Sequence, residues 1–286
     1  MPSQGPLIPR RRLGAELRRL REAAGLHLEH AAAHLECSTS KISRLETGQG
    51  IPKTRDIRDL LGLYGLTDQR AQDRLLRLAG DGRRQAWWQD LNDALTSNLD
   101  QYISLESEAS LQRDFSISYI YGLLQTERYA RALLRSIAPH ERESIVEDRV
   151  GLRMKRQQEF GARTDLPRLD IILDEATLHR RVGDAGVMRD QLESLLAVNE
   201  TTGRRLRVFP FSAQPDMGAQ CSFVIFTFDS DYDRNAVHIE LPGGDRWLEV
   251  ESDIERYTLF FQALAEKSLS EDDTDALIKK IMANNQ

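Results

Sequence analysis

The 286-residue sequence has only two cysteines, Cys37 and Cys221, far apart in the chain. That excludes a disulfide framework and leaves no CxxC pair for a metal or redox site. A reducing cytoplasm is the compartment such a chain is expected to occupy. No stretch approaches the ~18 apolar residues of a membrane span, so no membrane partner is expected. The basic run Arg10-Arg11-Arg12 follows a short Pro-rich stretch with no apolar segment after it, so no secretory signal is expected. Also missing are HExxH, a P-loop, GxGxxG opening a helix and GxSxG. No catalytic residue, metal or cofactor is assigned, and an enzyme is not expected.

What is present is a globular balance, with 40% hydrophobic and 29% charged residues. The length suggests about two domains. The net charge of −6 argues against nucleic acid, but it hides a split. Residues 1–85 carry 16 Lys and Arg against 10 Asp and Glu, whereas the remaining 201 carry 23 against 35. A basic end on an acidic body points to an anionic partner at one end only.

Residues 1–9, with three Pro and one Gly, read as a flexible arm. From 10 to 80 the periodicity is helical throughout. Leu13, Leu17 and Leu20 share one helix face, and Gly25 can stop that helix. Leu28, Ala31, Ala32 and Leu35 form a second stripe. Ser38 is an N-cap for a third helix holding Ile42 and Leu45 and closed by Gly48. Ile57, Leu60 and Leu61 mark a fourth helix, and Leu75, Leu76 and Leu78 a fifth. The expected N-terminal domain is all-α, with five helices.

Residues 81–86 read as a linker, and Trp87 and Trp88 as aromatic anchors for the next helix. Residues 87–286 read as a larger α+β domain with a small, mostly antiparallel sheet. Helices are expected at about 87–112, 126–136, 140–161, around Leu178, and at 185–202, 251–267 and 271–283. Strands are expected at 168–173, 206–211, 221–228 and 236–241, with a weaker one at 246–250.

The informative stretch is 25–48. Two helices joined by so short a turn must pack at a steep angle, and Ala31 and Ala32 are small enough to allow it. Ile42 and Leu45 anchor the next helix from inside. Thr39, Ser40, Lys41, Ser43 and Arg44 are left pointing outward. A helix presented this way fits the major groove of B-DNA, where Arg can pair with guanine and Ser or Thr can serve either role.

Residues 13–79 resemble the Xre, or lambda-repressor-like (Cro/CI-type), helix-turn-helix domain. The resemblance rests on Arg21 before Gly25-Leu26, on Ala32 and Leu35, and on Ser38…Ile42-Ser43-Arg44-Leu45-Glu46-Thr47-Gly48…Pro52. It implies that Thr39, Ser40, Ser43 and Arg44 face bases and that Lys41 and Lys53 lie near phosphates. It also implies a structural ion pair between Arg21 and Glu46. Two positions depart from the pattern. Glu36 stands where the turn usually has Gly, and Leu28 stands where a polar phosphate contact is common, so Leu28 is not counted as a contact.

Further motifs resemble the C-terminal domain of WhiJ-type actinobacterial regulators. They include Gly122-Leu123-Leu124-Gln125-Thr126, Tyr129-Ala130-Arg131, Arg149…Arg153…Arg156-Gln157, Asp174-Glu175-Ala176, Gln191-Leu192 and Val208-Phe209-Pro210-Phe211. Tyr121 replaces the usual Pro before Gly122. That resemblance implies an antitoxin-like domain and a small partner protein encoded nearby.

Other constellations have a sharp and a plain reading. His27, His30 and His34 share a helix face and could chelate a metal, but they read more simply as a solvated face. Asp229, Asp231, Asp233 and Glu240 match a calcium-loop spacing, but Arg234 replaces the required Gly and the flanks read as strands. Adjacent Asp174 and Glu175 point apart on a strand and suit a helix start better than acid–base work. Arg149, Arg153, Lys155 and Arg156 could bind an anion, or could belong to a helix salt-bridged by Glu143, Glu147 and Asp148.

The expected function is sequence-specific transcriptional regulation. A homodimer would bind a roughly palindromic site in double-stranded DNA, and the acidic domain would dimerise, sense or hold a partner. The alternative is an antitoxin-like interaction module that captures a small protein, with DNA binding accessory. A third reading, an enzyme with an unfamiliar site in the second domain, would require a deep pocket with perturbed ionisable groups.

Overall fold

The computed structural model describes residues 7–83, 97–163, 167–215, 217–229, 235–241 and 244–284. Most of the expected arm, residues 84–86 of the expected linker, Trp87 and Trp88, and residues 231, 233 and 234 of the calcium-loop template lie outside them. The chain divides after Glu108 into two compact units.

The first unit contains α1 (Leu7–Ala23), α2 (Leu28–His34), α3 (Thr39–Glu46), α4 (Thr54–Leu63), α5 (Gln69–Asp81) and α6 (Ser97–Glu108). The five helices expected between 10 and 80 are all present. The first begins earlier than expected, because Leu7, Ile8 and Pro9 are helical rather than part of an arm. Proline is tolerated in a first turn, where its missing N–H would have had no helical partner. The Leu7 N–H donates instead to Ser104 Oγ of α6 at 2.6 Å.

The core of this unit is the set of apolar positions that the periodicity marks. Leu13, Leu17, Ile42, Ile57, Leu60, Leu61 and Leu75 are each almost fully buried. Removing one such side chain to Ala costs about 2–5 kcal/mol. α1 and α3 approach closely at Gly14. A Cβ there would sit 2.5 Å from the carbonyl oxygens of Leu45 and Glu46. This contact fixes the end of α3 against α1.

The second unit is built on a six-stranded sheet. Its strands are β1 (Leu111–Ser116), β2 (Arg168–Asp174), β3 (Arg204–Phe209), β4 (Phe223–Thr227), β5 (Ala236–Ile239) and β6 (Arg246–Leu248), in the order β3-β2-β1-β4-β5-β6. β1–β2 and β2–β3 are parallel, and the other three pairings are antiparallel, so the sheet is mixed. The parallel half needs helical crossovers. These are α7 (Glu127–Ile137) with α8 (Glu143–Gly161), and α9 (Ala176–His179) with α10 (Ala185–Leu196). α11 (Glu251–Lys267) and α12 (Glu271–Asn284) close the chain.

Only Leu111 and Gln112 of the central strand β1 fall in the helix expected to run to 112, and its remaining residues had no expected element. In Leu-Gln-Arg-Asp-Phe-Ser the apolar alternation is broken, because Arg113 stands between Leu111 and Phe115 on one face, while the other face is wholly polar. Gln112, Asp114 and Ser116 share that face and are all buried. Phe115, on the opposite face, packs with Ile172, Phe223, Ile225, Val237 and Phe261. β3 lies at one edge, and its open side is closed at Leu206 by the Asn199 side chain and at Val208 by the C-terminal segment. The Val208 carbonyl accepts from Leu269 N–H at 2.8 Å, and Val208 N–H donates to Thr274 Oγ1 at 3.1 Å.

Candidate nucleic-acid interface

The expected recognition helix is α3. Ser38 caps it, its Oγ accepting from Lys41 N–H at 3.3 Å. Ile42 and Leu45 are buried beneath it. Thr39, Ser40, Ser43 and Arg44 are exposed, and together with Leu28 of α2 they line one open concavity. Arg44 folds back along its own helix, its Nε donating to the Ser40 carbonyl at 3.4 Å. Lys53, just before α4, is exposed.

The expected Arg21–Glu46 pair is present. Arg21 Nε lies 2.6 Å from Glu46 Oε1 and Nη2 lies 2.9 Å from Oε2, a bidentate fork. Both side chains are under one-tenth exposed. A third guanidinium nitrogen, Nη1, donates to the Leu26 carbonyl at 2.8 Å. The hydrogen bonds that Arg21 donates to Glu46 raise its pKa above the ordinary value against the cost of burial. The pair ties the end of α1 to the end of α3 and so fixes the angle at which α3 is presented. Beside it, burial pushes the Tyr64 phenol up to about 12.

Lys41 is less free than its expected phosphate contact requires. Its Nζ lies 2.5 Å from Asp56 Oδ2 of α4, and the side chain is about one-third exposed. Asp56 is a site residue that sequence reasoning missed. It lies fifteen positions away, and only the packing of α3 beside α4 brings it there.

The turn between α2 and α3 runs through Glu36 at φ +49°, among the described residues the single non-glycine with positive φ. That conformation costs an ordinary L-residue about 1–2 kcal/mol, which accounts for glycine being usual there. The Glu36 side chain is exposed. Of the three histidines, His30 Nδ1 accepts from the His27 N–H at 3.0 Å and so serves the start of α2. Among the described residues no group of three His, Cys, Asp or Glu side chains is placed to hold a metal. No helix among them is long and apolar enough to cross a membrane.

Two family models match the chain. Residues 12–75 match a helix-turn-helix domain. Residues 99–280, well over half the chain, match a domain of unknown function, DUF5753. The chain belongs to the DUF5753 family. No curated protein and no solved structure matches it.

Within the DUF5753 domain, several of the motif residues singled out above converge on one segment, 120–126. Gln125 Nε2 donates to the Ile120 carbonyl at 2.6 Å, and Arg153 Nη1 donates to Gln125 Oε1 at 2.7 Å. Gln157 Nε2 donates to the carbonyls of Gly122 and Gln125 at 2.9 and 2.8 Å. Gln191 Oε1 accepts from Thr126 N–H, and its Nε2 donates to the Leu124 carbonyl. Tyr121 OH donates to Gln112 Oε1 at 2.8 Å. An irregular segment buried in a domain must find partners for its peptide groups, and these side chains supply them. The arrangement therefore accounts for the motif as a structural clamp.

The basic run on α8 of the DUF5753 domain does not pair as expected. Glu143 and Glu147 bond Arg135 and Arg131 of α7, while Arg149 pairs with Glu141 and Lys155 with Glu159. The two helices pack together, so arginines of α7 take Glu143 and Glu147 from the basic run, while Lys155–Glu159 remains a pairing within α8. Asp174 and Glu175 start α9, as expected. Asp174 Oδ1 accepts from Ala176 N–H, and Glu175 Oε2 accepts from Phe211 N–H, both at 2.8 Å. On the polar face of the sheet, burial pushes the Asp114 carboxyl up to about 8, against a hydrogen bond from Ser116 Oγ at 2.7 Å. His238, its ring 4.5 Å from that of Trp247, is held below its ordinary pKa by burial, against Asp245 at 3.3 Å.

Proposed function

We propose that the protein is a cytoplasmic, sequence-specific DNA-binding transcriptional regulator of the Xre type, acting by binding rather than catalysis. The observation that carries this reading is the outward face of α3. Thr39, Ser40, Ser43 and Arg44 are exposed there, on a helix held rigidly from behind by Ile42, Leu45 and the Arg21–Glu46 fork. Hydroxyls and a guanidinium on a major-groove-sized helix are suited to reading base edges. A homodimer would place two such helices about 34 Å apart and meet a roughly palindromic site. The C-terminal domain would then dimerise, sense a ligand or hold a partner.

The test is selection of genomic fragments by the purified full-length protein, followed by anisotropy titration of the best fragment at two salt concentrations. A tight palindromic site whose affinity falls steeply with salt supports the reading. Enrichment no better than random DNA at low salt overturns it. One observation favours a second reading, an antitoxin-like (WhiJ-type) module that captures a small protein. The exposed Glu36 carboxylate sits in the turn that would approach the duplex. Co-purification of a small basic protein, without DNA binding, is the result this reading expects.

A further inference from the structure

Leu28 occupies an unusual place. It is the first residue of α2 and lies partly against the core of the first unit, yet its remaining surface forms part of the open concavity on α3. The other four lining residues are Thr39, Ser40, Ser43 and Arg44. Thr39 and Ser43 are four residues apart, as are Ser40 and Arg44, so each pair stacks on the same side of the helix. The result is a shallow hollow with one aliphatic wall and hydroxyl groups beside it.

A base edge that suits this hollow must present an apolar group next to a hydrogen-bond acceptor. In the major groove that description fits thymine, whose C5-methyl adjoins the O4 acceptor. Guanine and adenine offer no methyl, and cytosine offers a donor in place of O4. A polar side chain at position 28 would find phosphate or a neighbouring side chain, but an aliphatic one can gain only by covering apolar surface.

We infer that Leu28 is a specificity-determining residue that reads the methyl group of one thymine in each half-site, while a hydroxyl of Thr39 or Ser40 donates to O4 of the same base. This rests on the DNA-binding reading above and adds a base preference that α3 alone does not supply. Burying one methyl group corresponds to about a fourfold change in affinity.

The experiment is a thymine-to-uracil scan of the duplex selected by the full-length protein, read by anisotropy. In the unmodified protein, one uracil per half-site is expected to weaken binding about fourfold, and the other uracils little. In Leu28→Ala that difference is expected to vanish. Leu28→Gln, close to leucine in volume and with a polar end that can face the open concavity, repeats the test if the smaller variant unfolds. Equal affinity for every uracil duplex, or the same fourfold loss in both Leu28 variants, overturns the inference while leaving the regulator reading standing. Failure to select any duplex overturns the regulator reading itself, and this inference with it.

Discussion

Lys41 of α3 and Asp56 of α4 form an ion pair at 2.5 Å on the side of the domain expected to face DNA. The lysine is thereby held by a carboxylate that a phosphate would have to displace. A partly exposed pair of this kind is itself worth only about 0–1 kcal/mol. Its larger effect is on charge available to an anionic partner. Asp56→Asn should therefore raise affinity for random duplex about twofold to fivefold and steepen its salt dependence by up to one phosphate contact. Titrations of random DNA at several salt concentrations check this. Unchanged affinity and slope would show that Lys41 faces no phosphate.

The Arg21–Glu46 fork is buried, so removing one partner strands the other. Glu46→Ala should cost about 3–5 kcal/mol of first-unit stability. Arg21→Lys should recover little, because an ammonium cannot make two parallel bonds to Glu46 and a third to the Leu26 carbonyl. Denaturant unfolding followed by a probe in the first unit measures both. A loss below about 1 kcal/mol would mean the pair is dispensable.

Arg44 and Lys53 are both exposed, but their expected roles differ. Arg44→Ala should lose about 1–3 kcal/mol on the selected site and relax one base position. Lys53→Ala should weaken specific and random duplexes alike. Competition titrations separate the two patterns. Equal losses on both DNAs for Arg44→Ala would count against a base contact.

The Asp114 carboxyl gives the second unit a defined pH dependence. Its pKa is raised by burial to about 8 from an ordinary value of 3.8. Below that ordinary value both folded and unfolded chains are protonated, and the native burial is not opposed. As pH rises toward 8 the unfolded chain releases a proton that the folded chain keeps, so stability falls, and it levels off above 8. Glu240 and His238, toward the same side of the sheet, are present in wild type and variant alike. Asp114→Asn should therefore gain on wild type by at least ~1 kcal/mol between about pH 5 and 8. Denaturant melts across that range test it. A constant difference would place the ionisation elsewhere.

The helical unit was legible because its signals are local. Leu13, Leu17 and Leu20 repeat at helical spacing, Ser38 caps α3, and Arg21 and Glu46 sit at positions a known motif assigns to one pair. Lys41–Asp56 was not legible, since it depends on how α3 lies beside α4. The strand β1 was hidden for a different reason. A strand is recognised by an apolar face, and Arg113 interrupts that face between Leu111 and Phe115, while Gln112, Asp114 and Ser116 fill the other with polar groups. The α8 acids were likewise misassigned, because spacing along one helix says nothing of the arginines another helix brings across to them.

The bonds that Leu269 and Thr274 make to Val208 have a consequence for solubility. An uncovered outer strand is a template on which another chain can add itself. Here Leu269 and Thr274 occupy the outward hydrogen-bonding groups of Val208, and Asn199 those of Leu206, while the opposite edge, β6, is only three residues long. The closing segment thus guards the sheet against self-association. A nick or stop codon before Leu269 would expose a sticky border, and the shortened chain would tend to precipitate even where its interior packing survived.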